Sequence, residues 1–313
     1  MLGKTANGLF WMYRLLERAE NNARLIETGQ RMALTRSSGD DQEWISILET
    51  SGMRQGYEAK HETFQKDLVI DWMLRDLDNP ASVRACIEAA RQNARMVRTA
   101  ITHETWEATN GGYMAIKEAL TRRVSERDLP NVLGLVRQRT ALVRGATHGT
   151  MLRNDIYDFA RLGTFLERAD NTARILDTKY YVLLPTASAV GSRLDNAQWE
   201  TILRSVSARG GYRMVHGNDT SARDVAQFLM LDRRFPRSLW FCVGKLQDNL
   251  GYLAADYGER RAAHDQADAL CGKLSSSSID MIFEEGLHEF IQGVIGSLYA
   301  LGTQVEKDYR FYD

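Results

Sequence analysis

Residues 15–28 read LLERAENNARLIET, and residues 165–178 read FLERADNTARILDT. Eight of the fourteen positions are identical: Leu16/Leu166, Glu17/Glu167, Arg18/Arg168, Ala19/Ala169, Asn21/Asn171, Ala23/Ala173, Arg24/Arg174 and Thr28/Thr178. The chain is therefore an internal duplication, and each copy serves as a comparison for the other. The repeat extends outward. At an offset of 155, Trp44, Leu48, Arg54, Gly56, Tyr57 and His61 meet Trp199, Leu203, Arg209, Gly211, Tyr212 and His216. At an offset of 156, Asp76, Pro80, Ser82, Cys86 and Asn93 meet Asp232, Pro236, Ser238, Cys242 and Asn249.

Apolar residues recur with the helical period nearly throughout. The 313 residues include only four prolines, Pro80, Pro130, Pro185 and Pro236, which favours long helices. The expected fold is all-α: two tandem helical repeats, residues 1–150 and 151–313, packed about a pseudo-twofold axis as one globular unit. Expected helices run over 6–35 and 155–184, from Pro80 and Pro236 onward, and over 105–124, 129–145, 260–274 and 279–307. Asp41 and Asp195 are expected helix starts, and residues 180–184 are the one strand-like stretch.

Hydrophobic residues make up 44% of the chain and charged residues 26%, with a net charge of −1. That balance is ordinary for a globular protein and gives no footprint for nucleic acid. No run of eighteen apolar residues occurs, so no membrane span is expected. Three cysteines without CxxC spacing and no secretion signal point to reduced thiols and a cytoplasmic address.

On a helical wheel, Met12, Leu15, Leu16, Ala19, Ala23 and Ile26 form an apolar arc. Glu17, Asn21, Arg24 and Thr28 form a second stripe with Glu20 at its edge. The other copy repeats it with Glu167, Asp170, Asn171, Arg174 and Thr178. Three readings follow. The stripes are buried between the copies as Glu–Arg–Asn networks. Or they line a pocket in which Arg grips a carboxylate or phosphate and Glu accepts from an amine, which suits a peptide or amino acid. Or the four acids hold a metal. Arg24 and Arg174 oppose the metal reading, and no Glu-x-x-His accompanies the acids, so no metal and no cofactor is expected.

The R-x-G-Y-x-x-x-H motif adds Arg54 and Tyr57, with Arg209 and Tyr212, as candidate binding residues. They share one face with His61 or His216 only if the helix continues through the glycine. Cys86, Cys242, Trp44 and Trp199 read as core. Arg91, Arg95 and Arg98 form a basic stripe before His103–Asn110, fit for solvent or an acidic partner. P-loop, GxGxxG, GxSxG, HExxH and zinc patterns are absent, so no catalytic residue is assigned.

The opening N-G-L-F-W-M-Y-R-L-L-E-R-A-E-N-N-A-R resembles that of the bacterial alpha-E family, a helical family of unknown function. So do residues 93–110, 159–174 and the F-L-M-L-D-R-R-F-P-R-S block at 228–238. The first copy departs from the last block, reading Pro80-Ala81-Ser82 where the second reads Pro236-Arg237-Ser238. The resemblance implies association with a circularly permuted ATP-grasp ligase and a transglutaminase-like peptidase in peptide-tagging or peptide-processing systems. An accessory or substrate-binding subunit is the resulting expectation. An enzyme with a Glu/Asp-Asn-Arg site between the copies and a purely structural scaffold are the alternatives.

Overall fold

Helix α1 spans Gly3–Ala33 and α8 spans Asp155–Val182, and these two long helices lie against each other at the centre of the molecule. The computed structural model describes residues 1–33, 42–182 and 193–312, with fifteen helices and no strand among them. Between the long helices come α2 (Gln42–Ser51), α3 (Arg54–Glu58), α4 (Lys66–Leu74), α5 (Val83–Met96), α6 (His103–Ala119) and α7 (Leu129–Thr150). After α8 follow α9 (Arg193–Ser205), α10 (Arg209–His216), α11 (Ala222–Leu231), α12 (Leu239–Tyr257) and α13 (Ala262–Ser276). The chain closes with α14 (Ile279–Glu285) and α15 (Leu287–Asp308).

Of the 31 residues of α1, 19 are buried, including Glu17, Glu20, Asn21 and Thr28 of the polar stripe as well as the apolar arc, so this helix is enclosed on most sides. It packs on α5, α7 and α8, while α8 packs on α12 and α15 as well. Small residues make the crossing close. Ala19, Ala23, Ala169 and Ala173 are fully buried. A Cβ on Gly163 would lie 2.1 Å from the carbonyl oxygen of Phe10, so the two backbones nearly touch there. Phe10 and Phe159 meet Phe311 from the C-terminal end, and one hydrophobic core runs through both halves.

Several boundaries differ from the sequence-based expectation. Pro80 and Pro236 lie ahead of α5 and α12 rather than in their first turns. Ser82 and Ser238 are the N-caps, accepting from the Ala85 and Phe241 amides at 3.2 and 3.1 Å. The helix expected from Pro80 to about Thr102 begins at Val83 and ends at Met96. The expected helix over 279–307 is broken at Gly286, whose φ of 109° no helix tolerates. Residues 180–182 belong to α8 rather than to a strand. Asp41 and Leu184 lie outside the described residues, and so does residue 35, the expected end of the first helix.

Candidate functional site

The two Glu-Arg dipeptides are exchanged between the halves. Glu17 accepts from Arg168 Nε and Nη2, both at 2.9 Å, and Glu167 accepts from Arg18 Nε and Nη2 at 2.6 and 2.9 Å. Each glutamate of the repeated motif is thus gripped in a two-pronged fashion by the arginine of the other copy. Such fork-to-fork pairing is strong and fixes orientation. Arg14 adds a bond to Glu167 at 3.0 Å.

The first half seals its stripe. Arg237, from the turn before α12, donates to Glu17 and Glu20 at 2.9 Å and to Asn21 Oδ1 at 3.3 Å. Arg144 of α7 reaches Glu20 and lies 3.5 Å from Glu17. Arg24 and Thr140 complete the shell of Glu20 at 2.7 and 3.0 Å. Glu17 is 1% exposed. Burial favours its neutral form, yet Arg168, Arg237 and Arg144 overcome that and hold its carboxyl far below the usual range. Glu20 and Glu167 are likewise desolvated but held low, the first by Arg237, Arg144 and Arg24, the second by Arg18 and Arg14.

These shifts have a pH signature. Folded pKa values below the unfolded 4.5 mean that the carboxylates stabilise the fold at neutral pH. That contribution is expected to be present above about pH 4.5 and to fall away progressively as pH drops toward the lowered folded values. A thermal-melt series from pH 7 to pH 3 checks it.

The second half is open. Arg144 is the sixteenth residue of α7, and the sixteenth of α15 is Gly302. Arg237 is matched in the first copy by Ala81. Both loops are anchored alike, Asn22 donating to the Ala81 carbonyl at 2.7 Å and Thr172 to that of Arg237 at 2.8 Å. Beside α15, where an Arg144 counterpart would stand, is a cavity of about 380 Å³. Arg14, Arg18, Asp170 and Arg174 line it together with Trp11 and Tyr299, the last 79% exposed. Asp170 accepts from Arg174 at 2.8 Å and is only half-buried, unlike its counterpart Glu20. Asn171 is also half-buried.

A second cavity, of about 220 Å³, lies at the far end of the first stripe. Arg24, Arg31, Arg137, Arg204 and Arg209 line it, with Glu27 and Ser207. Arg24 Nη1 donates to Ser207 Oγ at 2.5 Å. Ser207 is left-handed at φ 56°, where its counterpart Gly52 sits at φ 70°. A side chain is thus carried at some conformational cost into the wall that Arg24 forms.

The R-x-G-Y-x-x-x-H motif differs between the copies. Arg54 pairs with Glu49 and Glu58 on the surface, and α3 ends at Glu58, leaving His61 beyond the helix, whereas α10 continues through Gly211 and carries Arg209, Tyr212 and His216. Tyr57 and Tyr212 are buried and donate to the carbonyls of Thr63 and Asp219 at 2.6 and 3.0 Å. Their rings lie against His61 and His216. These tyrosines are structural, while Arg209 lines the cavity of about 220 Å³. Arg91 stacks on Tyr113 and Arg98 on Trp106. Cys86 and Cys242 are buried, their thiols pushed up to about 12 mainly by desolvation. Among the described residues, no group of acids, histidines and cysteines is arranged to hold a metal ion, and no helix is long and apolar enough to cross a membrane.

Arg18 and Arg168 were the partners the helical wheel missed, because they fall between the two arcs. The signal was their identity in both copies. Arg237 was signalled by the P-R-S/P-A-S departure, while Arg144 had no signal at all.

An uncharacterised protein of Mycobacterium bovis and one of Mycobacterium tuberculosis are each 24% identical to this chain over 318 residues, covering 95% of it. The chain spans 35% of the length of these curated relatives. No solved structure matches. The model of the Alpha-E family, described as a predicted alpha-helical domain with a conserved ER motif, matches residues 1–309. The Glu17-Arg18 and Glu167-Arg168 dipeptides both lie within that span, and the chain belongs to the Alpha-E family.

Proposed function

We propose that the chain is an accessory, substrate-binding subunit that holds a carboxylate-bearing peptide in the open half of its duplicated site. In this reading the repeats 1–150 and 151–313 are related by a pseudo-twofold axis passing between the two exchanged Glu-Arg pairs. The carrying observation is the asymmetry of the two stripes. The same motif is plugged by Arg144 and Arg237 on one side, and on the other it borders a cavity of about 380 Å³ with Arg14, Arg18 and Arg174 in its wall. Arginine forks suit carboxylates, and Trp11 and Tyr299 offer flat apolar surface for the rest of a peptide.

A circularly permuted ATP-grasp ligase is the proposed partner, with a transglutaminase-like peptidase in the same cytoplasmic system. The length of the relatives supports such a companion: a region like this chain is joined to about twice its own length of further sequence. Glu17 and Glu167 are poor general acids or bases, being ionised and enclosed by arginines. The exchanged pairs favour a scaffolding role for these two glutamates, with the binding role carried by Asp170, Arg174 and their neighbours.

Ligase turnover is measured with and without this chain, alongside co-purification at micromolar concentration. The expected result is a complex and a ligase rate that depends on it. Arg174→Gln and Tyr299→Ala are expected to raise the KM for peptide at least several-fold without changing the complex. No complex together with an unchanged rate overturns the proposal.

A further inference from the structure

A third cavity, of about 480 Å³, lies between the first turns of α8 and the length of α12. It shares no residue with the two cavities along the stripes. Six charged side chains line it: Arg153, Asp158, Arg161, Lys245, Asp248 and Asp256. The duplication supplies a control for each one. In the first copy their counterparts are Gly3, Gly8, Trp11, Ala89, Gln92 and Ala100, none of them charged. There the corresponding helices close on each other, since a Cβ on Gly8 would fall 2.5 Å from Val97 Cγ1. The cavity and its charges thus belong to the second copy, and repeat packing alone does not require them.

Only two of these charges are spent on one another. Lys245 and Asp248 pair at 2.7 Å. Asp158 is 5% exposed, and its carboxylate has no hydrogen bond or ion pair among the described residues. Arg161 also makes no ion pair; its guanidinium lies over the rings of Phe165 and Tyr157, at 4.3 and 5.7 Å. Arg153 is held by the carbonyls of Met151 and His148 and stacks on Tyr157 at 4.0 Å. The lining therefore carries an anionic pole, Asp158 of α8 with Asp256 of α12, and a cationic pole, Arg161 with Arg153. The Asp158 side chain is largely buried while its carboxylate opens onto the cavity, where it stands ready for a cationic group.

We propose that this cavity binds a small zwitterion, an α-amino acid or short peptide, with its ammonium on Asp158 and Asp256 and its carboxylate on Arg161 and Arg153. A ligand of a single sign would satisfy one pole and leave the other facing it unmatched. A zwitterion satisfies both, and the exposed ring of Tyr252 gives its side chain a surface. The proposal stands on different residues from the peptide site described above and does not depend on it.

The groups facing Asp158 also give the binding a pH dependence. Burial, then Asp256 of α12 and Asp155 of α8, push its carboxyl up to about 7, against a smaller lowering by Arg161. Tyr309, beyond α15, lies within its electrostatic reach. Since the ammonium requires the ionised carboxylate, affinity is expected to rise roughly tenfold from pH 6 to pH 8.

The test is calorimetric titration of the full chain at pH 8 with the protein amino acids and a set of dipeptides. Each is accompanied by its N-acetyl and C-amide forms. The expected result is saturable binding of at least one free zwitterion, at least tenfold weaker binding of both blocked forms, and a loss of tenfold or more in Asp158→Asn and Arg161→Gln. Should either variant fail to fold, the blocked ligands on the unaltered protein decide. The proposal is overturned if no zwitterion binds below roughly 10 mM, or if the blocked forms bind as well as the free ones.

Discussion

Glu17→Gln is expected to lower the unfolding midpoint by roughly 5–8 °C, which follows from a loss of about 3–5 kcal/mol. The substitution preserves shape and removes only the charge. It leaves Arg168 and Arg237 buried around a neutral amide, with Arg144 nearby. Uncompensated buried charge is among the most destabilising of single changes. Thermal melts of Glu17→Gln, Arg168→Gln and the double variant form a cycle whose coupling is expected to exceed about 1 kcal/mol. A catalytic role for Glu17 requires the opposite outcome, an unchanged melt, and that result would remove the structural role assigned to the exchanged pairs.

Gly163→Ala is expected to cost about 3 kcal/mol or more, with a midpoint drop of roughly 5 °C or more. The added methyl would sit 2.1 Å from Phe10 O and 3.2 Å from Phe10 Cα. Both are backbone atoms, so no rotamer change relieves the clash, and α1 and α8 must separate. Separation lengthens Arg168–Glu17 and Arg18–Glu167 together, because both bridges span this crossing. Gly134→Ala is the control, since a Cβ there meets nothing within 4 Å. It should leave the midpoint unchanged or raise it slightly, as alanine is the better helix former. A Gly163→Ala protein that melts like the unaltered chain would show that the crossing tolerates expansion.

Much of the architecture could be read from periodicity and the scarcity of proline. The apolar arc of α1 is buried as the wheel places it, from Met12 to Ile26. The polar stripe was also visible, but not what covers it. A wheel shows which residues of one helix face the same way and is blind to what arrives from elsewhere. Arg144 lies 127 residues from Glu17, and Arg237 lies 220 away. Hence glue and pocket stood as rivals, whereas Glu17 and Glu20 are sealed and Asp170 and Arg174 border open space. The difference turns on two small residues, Gly302 and Ala81, which carry no pattern of their own. Asp158 was missed for a related reason. Only its comparison with Gly8 sets it apart, and that position falls outside the conserved block.

The exchange of the two Glu-Arg dipeptides also bears on how this chain could change over time. Neither dipeptide pairs its own glutamate with its own arginine: Arg18 serves Glu167, and Arg168 serves Glu17. A substitution in one dipeptide can therefore be repaired only in the other, some 150 residues away, which yokes the two motifs to each other through selection on stability alone. The surrounding positions are under no such bond. With the crossing locked, Glu17 and Glu20 are enclosed by arginines while Asp170 and Arg174 border a cavity. The two motifs depend on each other for their shape, and the residues around them differ between the halves.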